Sequence, residues 1–251
     1  METNFEKDLK RLEEINNKLE NEKLSLDDSI KLYEEGIAIS KEYWKSIKRS
    51  RSKSRKNYWI KMSKEIKHID IPNIKDPTFL KDLSYKELDV LSEDIRNYLL
   101  EITSVHGGHL SSNLGVVEST ISLCKTFDFA KDKLIFDVGH QCYTYKLLTG
   151  RNLQDFREKD GTSGFQKRNE SKYDHYEAGH SSTAISAANG FAIARDLKKE
   201  NYNVIAYVGD SSFMNGLSFE GLNNLGQERH KVIIVLNDNE MSISKAVGGF
   251  S

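Results

Sequence analysis

Three short runs, Leu134 to Val138, Val204 to Val208 and Val232 to Leu236, are apolar except for Asp137, and helical pattern separates each from the next. Strands buried on both faces read as unbroken apolar runs, and parallel strands need crossover connections of a dozen or more residues. The spacing therefore predicts an α/β unit with a doubly wound, mostly parallel sheet. Two helices are legible beside it. Ser84 with Glu87 three residues on forms a capping box that opens a helix through Leu88, Leu91, Ile95 and Leu99. A second, rich in small residues, covers Ala184 to Leu197.

In such a sheet, ligands gather at the carboxyl ends of the strands. The first run leads into Gly139-His140-Gln141, the second into Gly209-Asp210-Ser211-Ser212 and the third into Asn237-Asp238-Asn239-Glu240-Met241. Between the first two lies Gly179-His180-Ser181-Ser182-Thr183, at the start of the small-residue helix. Four of the seven histidines, His106, His109, His140 and His180, have a glycine neighbour, which predicts loop tips rather than core. These residue types suit a magnesium-bound diphosphate. Asp210 offers a carboxylate and Asn239 a neutral carbonyl, both hard oxygen ligands. Ser181 and Ser182 before a helix offer hydroxyls and free N–H groups to a phosphate. His140 and His180 can add hydrogen bonds to an anion. Each element alone is as well explained by a turn or a plain helix cap; their joint order carries the argument.

The front of the chain is different. Net charge is −5 over residues 1–40, +9 over 41–68 and −5 over 69–251, as if unlike pieces were joined. Phe5, Leu9, Leu12, Ile15 and Leu19 mark one helical face, and Leu26, Ile30, Tyr33 and Ile37 mark a second after a Ser25 cap. Together they predict an antiparallel helical hairpin over residues 1–45, too small to be stable without a partner or a second copy. The basic stretch from Lys45 to Lys56 could contact phosphates or serve as a solvated linker. Its lack of pattern favours the linker, spanning 46–79, and direct nucleic-acid binding is not expected. Pro72 and Pro77 suggest an extended connector before the second unit, 80–251.

With 37% hydrophobic and 30% charged residues and a mean hydropathy of −0.60, the chain has globular composition. No apolar run is longer than those of Val204 to Val208 and Val232 to Leu236, whereas a bilayer span needs about 20 residues. No signal-peptide pattern opens the sequence, and Cys124 and Cys142 suggest neither a disulfide framework nor a zinc site. A cytoplasmic protein without membrane contact is expected.

Residues 80–251 resemble the N-terminal domain of the 1-deoxy-D-xylulose-5-phosphate synthase family, of the transketolase superfamily. The likeness lies in Gly108-His109-Leu110-Ser111-Ser112-Asn113-Leu114-Gly115, Asp137-Val138-Gly139-His140-Gln141 and Leu148-Thr149-Gly150-Arg151. It continues in Gly179-His180-Ser181-Ser182-Thr183, Gly209-Asp210 and Asn237 to Ser244. The resemblance implies thiamine diphosphate and Mg2+ as cofactors. It also implies condensation of pyruvate with glyceraldehyde 3-phosphate, releasing carbon dioxide, by a homodimer. It assigns the metal to Asp210, Asn239 and the Met241 carbonyl, and the diphosphate surroundings to His140, Gly179, His180, Ser181, Ser211, Ser212 and Asn239. His109 falls at the reacting end of the cofactor, suited to proton transfer or substrate binding.

Two departures stand out. The family pattern after the second strand is Gly-Asp-Gly, where this chain has Ser211; glycine tolerates backbone angles that strain serine, and a Cβ there is expected to weaken diphosphate binding. Family members also continue for several hundred residues beyond Ser251, with the pyrimidine-binding domain, so these residues alone are expected to lack synthase activity. Residues 1–45 resemble the small subunit of exodeoxyribonuclease VII, through Phe5-Glu6, Lys18-Leu19-Glu20, Leu24 to Ile30 and Tyr33 to Gly36, and the likeness fades after Lys41. That resemblance implies an alternative role, a non-catalytic interaction module that binds the nuclease large subunit.

Overall fold

The computed structural model describes residues 68–238 continuously, and within 1–67 it describes Arg11, Glu14, Ile15, Asn17, Lys18, Asp28, Lys31, Leu32, Glu35, Gly36, Ile39 and Ile66. The chain divides into two compact units, Met1–Lys67 and His68–Ser251. Asn239, Met241 and the basic stretch lie outside the described residues, as do most positions of the two N-terminal stripes.

In the first unit, the described positions from Arg11 to Lys18 and from Asp28 to Ile39 are helical. Ile15 is buried, and a Cβ at Gly36 would touch its Cγ2 at 3.6 Å. Arg11 reaches across to Glu35 in a two-pronged ion pair at 2.8 and 3.0 Å. Two helical stretches lying side by side are what the predicted hairpin requires.

The second unit begins with two turns of 3-10 helix, Ile71–Asn73 and Pro77–Asp82. Between them Ile74 to Asp76 form the short extended connector expected between the prolines. Both prolines sit in the first turn of a 3-10 helix, where a missing N–H costs nothing, and Ile71, Ile74 and Leu80 are buried in the core. Helices α1 (Tyr85–His106), α2 (Leu110–Leu114) and α3 (Val117–Thr126) follow, then β1 (Lys133–Phe136) and α4 (Tyr143–Leu148). After a long irregular segment come α5 (Ala184–Leu197), β2 (Val204–Gly209), α6 (Asp210–Phe213), α7 (Gly216–Glu228) and β3 (Ile233–Asn237). The predicted capping box on Ser84 is present, each partner bonding the other's backbone N–H, and α5 has the predicted limits.

The three strands form a parallel sheet in the order β1-β2-β3. Its side chains alternate between two layers, as the two-residue period of a strand demands. Leu134, Phe136, Ile205 and Tyr207 pack with Leu91, Ile95, Leu99, Ile121 and Tyr145 from α1, α3 and α4. Ile135, Val204, Ala206 and Val208 pack with Ala184, Ile185, Ala188 and Ala192 of α5 and with Leu222 and Leu225 of α7. Small residues let this second layer close tightly. A Cβ at Gly221 of α7 would come within 2.8 Å of Ser186 Oγ and 3.2 Å of Ser186 N on α5.

Residues 149–183 contain no helix or strand, a length that marks a functional or specially anchored loop. Two devices anchor it. Lys146 and Asp174, whose side chains are wholly buried, meet Glu170 and Arg151 in one ionic cluster. The side-chain amide of Gln166 pairs with the outer edge of β1, accepting from Phe136 N at 3.1 Å and donating to Leu134 O at 3.3 Å. Gln166 thus completes an edge that would otherwise present unpaired backbone groups. Gln166→Ala is expected to lower the unfolding free energy by about 2–4 kcal/mol, since it strands two buried backbone groups; urea denaturation of the two forms checks it.

Candidate functional site

The loops and turns that follow β1, β2 and β3 carry the chemistry-bearing residues. Asp137, one residue past β1, is buried, and its carboxylate accepts hydrogen bonds from Ser182 N at 2.7 Å and Ala184 N at 3.1 Å. Of the two N–H groups expected to be free for a phosphate, those of Ser181 and Ser182, the second is therefore engaged within the chain. An internal carboxylate already answers the positive end of α5. The hydroxyls of Ser182 and Thr183 remain buried without a hydrogen-bond partner. Ser181 is half-buried and Gly179 and His180 are exposed ahead of the helix. The His180 ring turns onto its own segment, with Nδ1 2.8 Å from Ser181 O.

After Asp137 the backbone enters the left-handed region at Val138 (φ 61°) and Gly139 (φ 90°). A β-branched residue there is strained, and such strain persists only where the surroundings impose it. The turn is held by Gln141 Nε2 donating to Asp137 O at 3.0 Å, and it delivers His140 beside His109. The two imidazoles meet edge to face, 5.1 Å between centroids, and Phe165 flanks His109 at 6.0 Å. Buried Asn113 ties the histidine backbones together. Its Nδ2 donates to His109 O at 2.7 Å and to His140 O at 2.8 Å, while its Oδ1 accepts from Tyr143 N at 2.9 Å.

Burial disfavours a charge on both rings. It pushes His109 below the ordinary imidazole value, helped by the Arg157 guanidinium. His140 moves the same way through burial and then its His109 neighbour, with Asp137 pulling weakly back, and its Nδ1 is buried and unpartnered. The glycine-neighbour rule holds for His109 and His180, which are exposed. It fails for His106, the last residue of α1, and for His140, which are half-buried because the chain folds back over them.

At the next strand, Asp210 opens α6 directly after Gly209, and Gly209 stands in register with Asn237 at the end of β3. The start of α6 is thus set beside the end of β3. Asp210 Oδ1 accepts from Ser211 N at 2.7 Å and lies 3.4 Å from Ser211 Oγ. Ser211 sits in helical backbone with no positive φ, so the strain expected from replacing glycine is absent. The added hydroxyl instead shares a carboxylate oxygen. Ser212 is half-buried, and its carbonyl caps Ser218 Oγ at 2.6 Å. Among the described residues no three His, Cys, Asp or Glu side chains converge on one point, and no helix is long and apolar enough to cross a membrane. Both cysteines are free and buried, as expected without a disulfide.

The structure thus joins His109 with His140, and brings the end of β1 to the start of α5. Sequence reasoning missed Asp137, Asn113 and Tyr143 as organisers. Asp137 and Asn113 stood inside the quoted motifs and Tyr143 two residues beyond one, yet only long-range contacts reveal what they hold.

A parallel sheet covered on both faces, with histidine, hydroxyl and carboxylate groups at its carboxyl ends, defines a cofactor-binding α/β domain. A family model described as 1-deoxy-D-xylulose-5-phosphate synthase matches residues 71–251. The 1-deoxy-D-xylulose-5-phosphate synthase of Clostridium tetani is 56% identical over 179 residues, 70% of this chain and 29% of that relative. Those of Macrococcus caseolyticus and Clostridium beijerinckii are 55% identical over 182 residues and 57% over 177, covering 72% and 70% of this chain. The chain belongs to the 1-deoxy-D-xylulose-5-phosphate synthase family, whose enzymes are thiamine diphosphate-dependent transferases. It spans 29% of the length of these curated relatives. Residues 5–53 match a second family model, Exonuclease VII small subunit, and this match runs past Lys41, where the likeness was expected to fade.

Three imidazoles titrate downward on folding, since burial also lowers His175, helped by Lys133. Below about pH 6.5 the unfolded chain binds more protons than the folded one, so stability rises with pH through that window. The midpoint of thermal unfolding is expected to fall between about pH 7.5 and about pH 5.5, and to fall less in His175→Gln. A flat profile in scanning calorimetry would contradict this.

Proposed function

We propose that the second unit forms the diphosphate side of a thiamine diphosphate and Mg2+ site in a 1-deoxy-D-xylulose-5-phosphate synthase. The full enzyme would join pyruvate to glyceraldehyde 3-phosphate with loss of carbon dioxide, in the cytoplasm and as a homodimer. The observation that carries the reading is the register Gly209↔Asn237. It sets Asp210 next to the end of β3, and Asn239 and Met241 follow two and four residues later in the sequence; with the Met241 carbonyl these would make a set of hard oxygen donors suited to Mg2+. The remaining donors also fit. The orphaned His140 Nδ1 and the unpartnered Ser182 and Thr183 hydroxyls are buried polar atoms of the kind a polar ligand or ordered water satisfies.

The thiazolium ring of the bound cofactor would supply carbanion stabilisation. The chain's own residues bind and orient. Asp210, Asn239 and Met241 would hold the cation, with Ser211 steadying the Asp210 carboxylate and Ser212 close behind it. His140, Gly179, His180 and Ser181 would surround the diphosphate. His109, whose burial favours a neutral ring, would face the substrate and exchange a hydrogen bond or a proton with its oxygen. Titration calorimetry of the whole chain with thiamine diphosphate and Mg2+ is expected to show binding, weakened at least about tenfold by Asp210→Ala. Absence of heat with both present, or equal binding by the variant, would overturn the reading.

A second reading concerns residues 5–53, on the strength of their own family match. We propose that this hairpin is an interaction module that recruits an exodeoxyribonuclease VII large subunit. Co-expression with that subunit is expected to give co-purification that a chain lacking residues 1–53 does not give. Equal recovery by both forms would refute it.

A further inference from the structure

The hydrogen bonds around His109 fix more than its position. Its backbone N–H, which can only donate, gives its hydrogen to the Tyr143 hydroxyl oxygen at 3.0 Å. The same hydroxyl lies 3.3 Å from His109 Nδ1. A phenol has one hydrogen, and with its oxygen already accepting, that hydrogen is available for Nδ1. If Nδ1 accepts, the proton of the neutral ring resides on Nε2, because the hydrogen bond made by one ring nitrogen decides which nitrogen is protonated. We propose that Tyr143 is a positioning residue that holds His109 as the neutral Nε2–H tautomer, so that His109 meets its ligand as a hydrogen-bond donor. Its fitting partner is a carbonyl or oxyanion acceptor rather than a group with a proton to lose. The inference deepens the proposed function, and its relevance to substrate rests on that reading of His109.

The surroundings are built for this contact. Tyr143 is wholly buried, its ring packs edge to face on Phe156 at 4.7 Å, and its N–H is fixed by Asn113 Oδ1. The approach of the phenol to the His109 backbone needs a glycine. A Cβ at Gly108 (φ 135°) would lie 3.0 Å from Tyr143 Oη and 3.3 Å from Tyr143 Cε2. The charged or titratable groups facing His109 are Arg157, His140 and Tyr143. Arg157 opposes a positive ring, as does burial, which also raises the Tyr143 phenol and keeps it protonated as a donor. The phenol therefore directs the imidazole without giving up its own proton.

The test uses the whole chain with 15N-labelled histidine and long-range proton–nitrogen correlation spectra through a pH titration. His109 is assigned by the signal lost in His109→Gln. In the neutral ring Nδ1 is expected to be unprotonated and displaced in resonance by the hydrogen bond it accepts. Tyr143→Phe is expected to abolish that displacement. It should also raise the protonated-to-neutral ratio of His109 about three- to tenfold at a given pH, the worth of one hydrogen bond to the neutral form. A protonated Nδ1 in the unaltered chain overturns the proposal whether or not the variant folds. So does a folded variant whose His109 signals match the parent. The readout needs no bound cofactor, so failure of the thiamine diphosphate reading and failure of this one are told apart.

Discussion

The buried carboxylate of Asp137 is the contact on which the arrangement of this domain turns. Taking an ion out of water is costly unless its partners are well placed. Here Ser182 N and Ala184 N meet it at the start of α5, and the helix dipole adds to them. The contact joins the end of β1 to the start of a helix that begins 47 residues later. It also bounds the turn at Val138 and Gly139, whose left-handed backbone sends His140 toward His109. Strain at a β-branched residue and a closely placed histidine pair are thus two results of one clamp. The clamp further explains why α5 is a poor seat for a second anion at these two N–H groups, despite the serines that precede it.

What was legible in the sequence is what local periodicity encodes. The apolar runs located all three strands, and the Ser84 and Glu87 pair located the start of α1, because these signals come from neighbours in the chain. β1 ends at Phe136 rather than Val138, since the positive φ of Val138 takes the chain out of the extended region. Nothing in a Val-Gly pair announces that. Gln166 had no signal either. An amide that pairs with a strand edge 30 residues away has the composition of an ordinary loop residue. The prolines bracketed the extended residues Ile74 to Asp76 but gave no sign of the 3-10 turns that hold them, because the same residue that favours extended neighbours also fits the first turn of a short helix.

The candidate site was legible as a set of residue types and not as a set of contacts. His109, His140 and Asp210 were picked out by position after glycine or after a strand. Asn113 and Tyr143, which orient the histidines, lie within α2 and at the start of α4, and look like any helical polar or aromatic residue. Ser211 shows the opposite error. As a departure from a glycine pattern it suggested backbone strain, yet the chain there is helical and what the side chain adds is a hydroxyl 3.4 Å from Asp210 Oδ1.

Four separated stretches converge on one imidazole: Gly107 to His109, Asn113, His140 to Tyr143, and Phe165. The stretch that holds Phe165 also holds Gln166, which completes the edge of β1, and Glu170 and Asp174, which neutralise buried Lys146. The loop that walls His109 is therefore a structural member of the sheet and not a cover laid over it. Loosening Gln166 or the ionic cluster would free Phe165 and remove one wall of the His109 environment. Stability of the β1 edge and the desolvation that lowers the His109 imidazole are consequently coupled. Here the irregular segment 149–183 does for the site what a helix does elsewhere: it fixes a side chain by fixing the backbone on both sides of it.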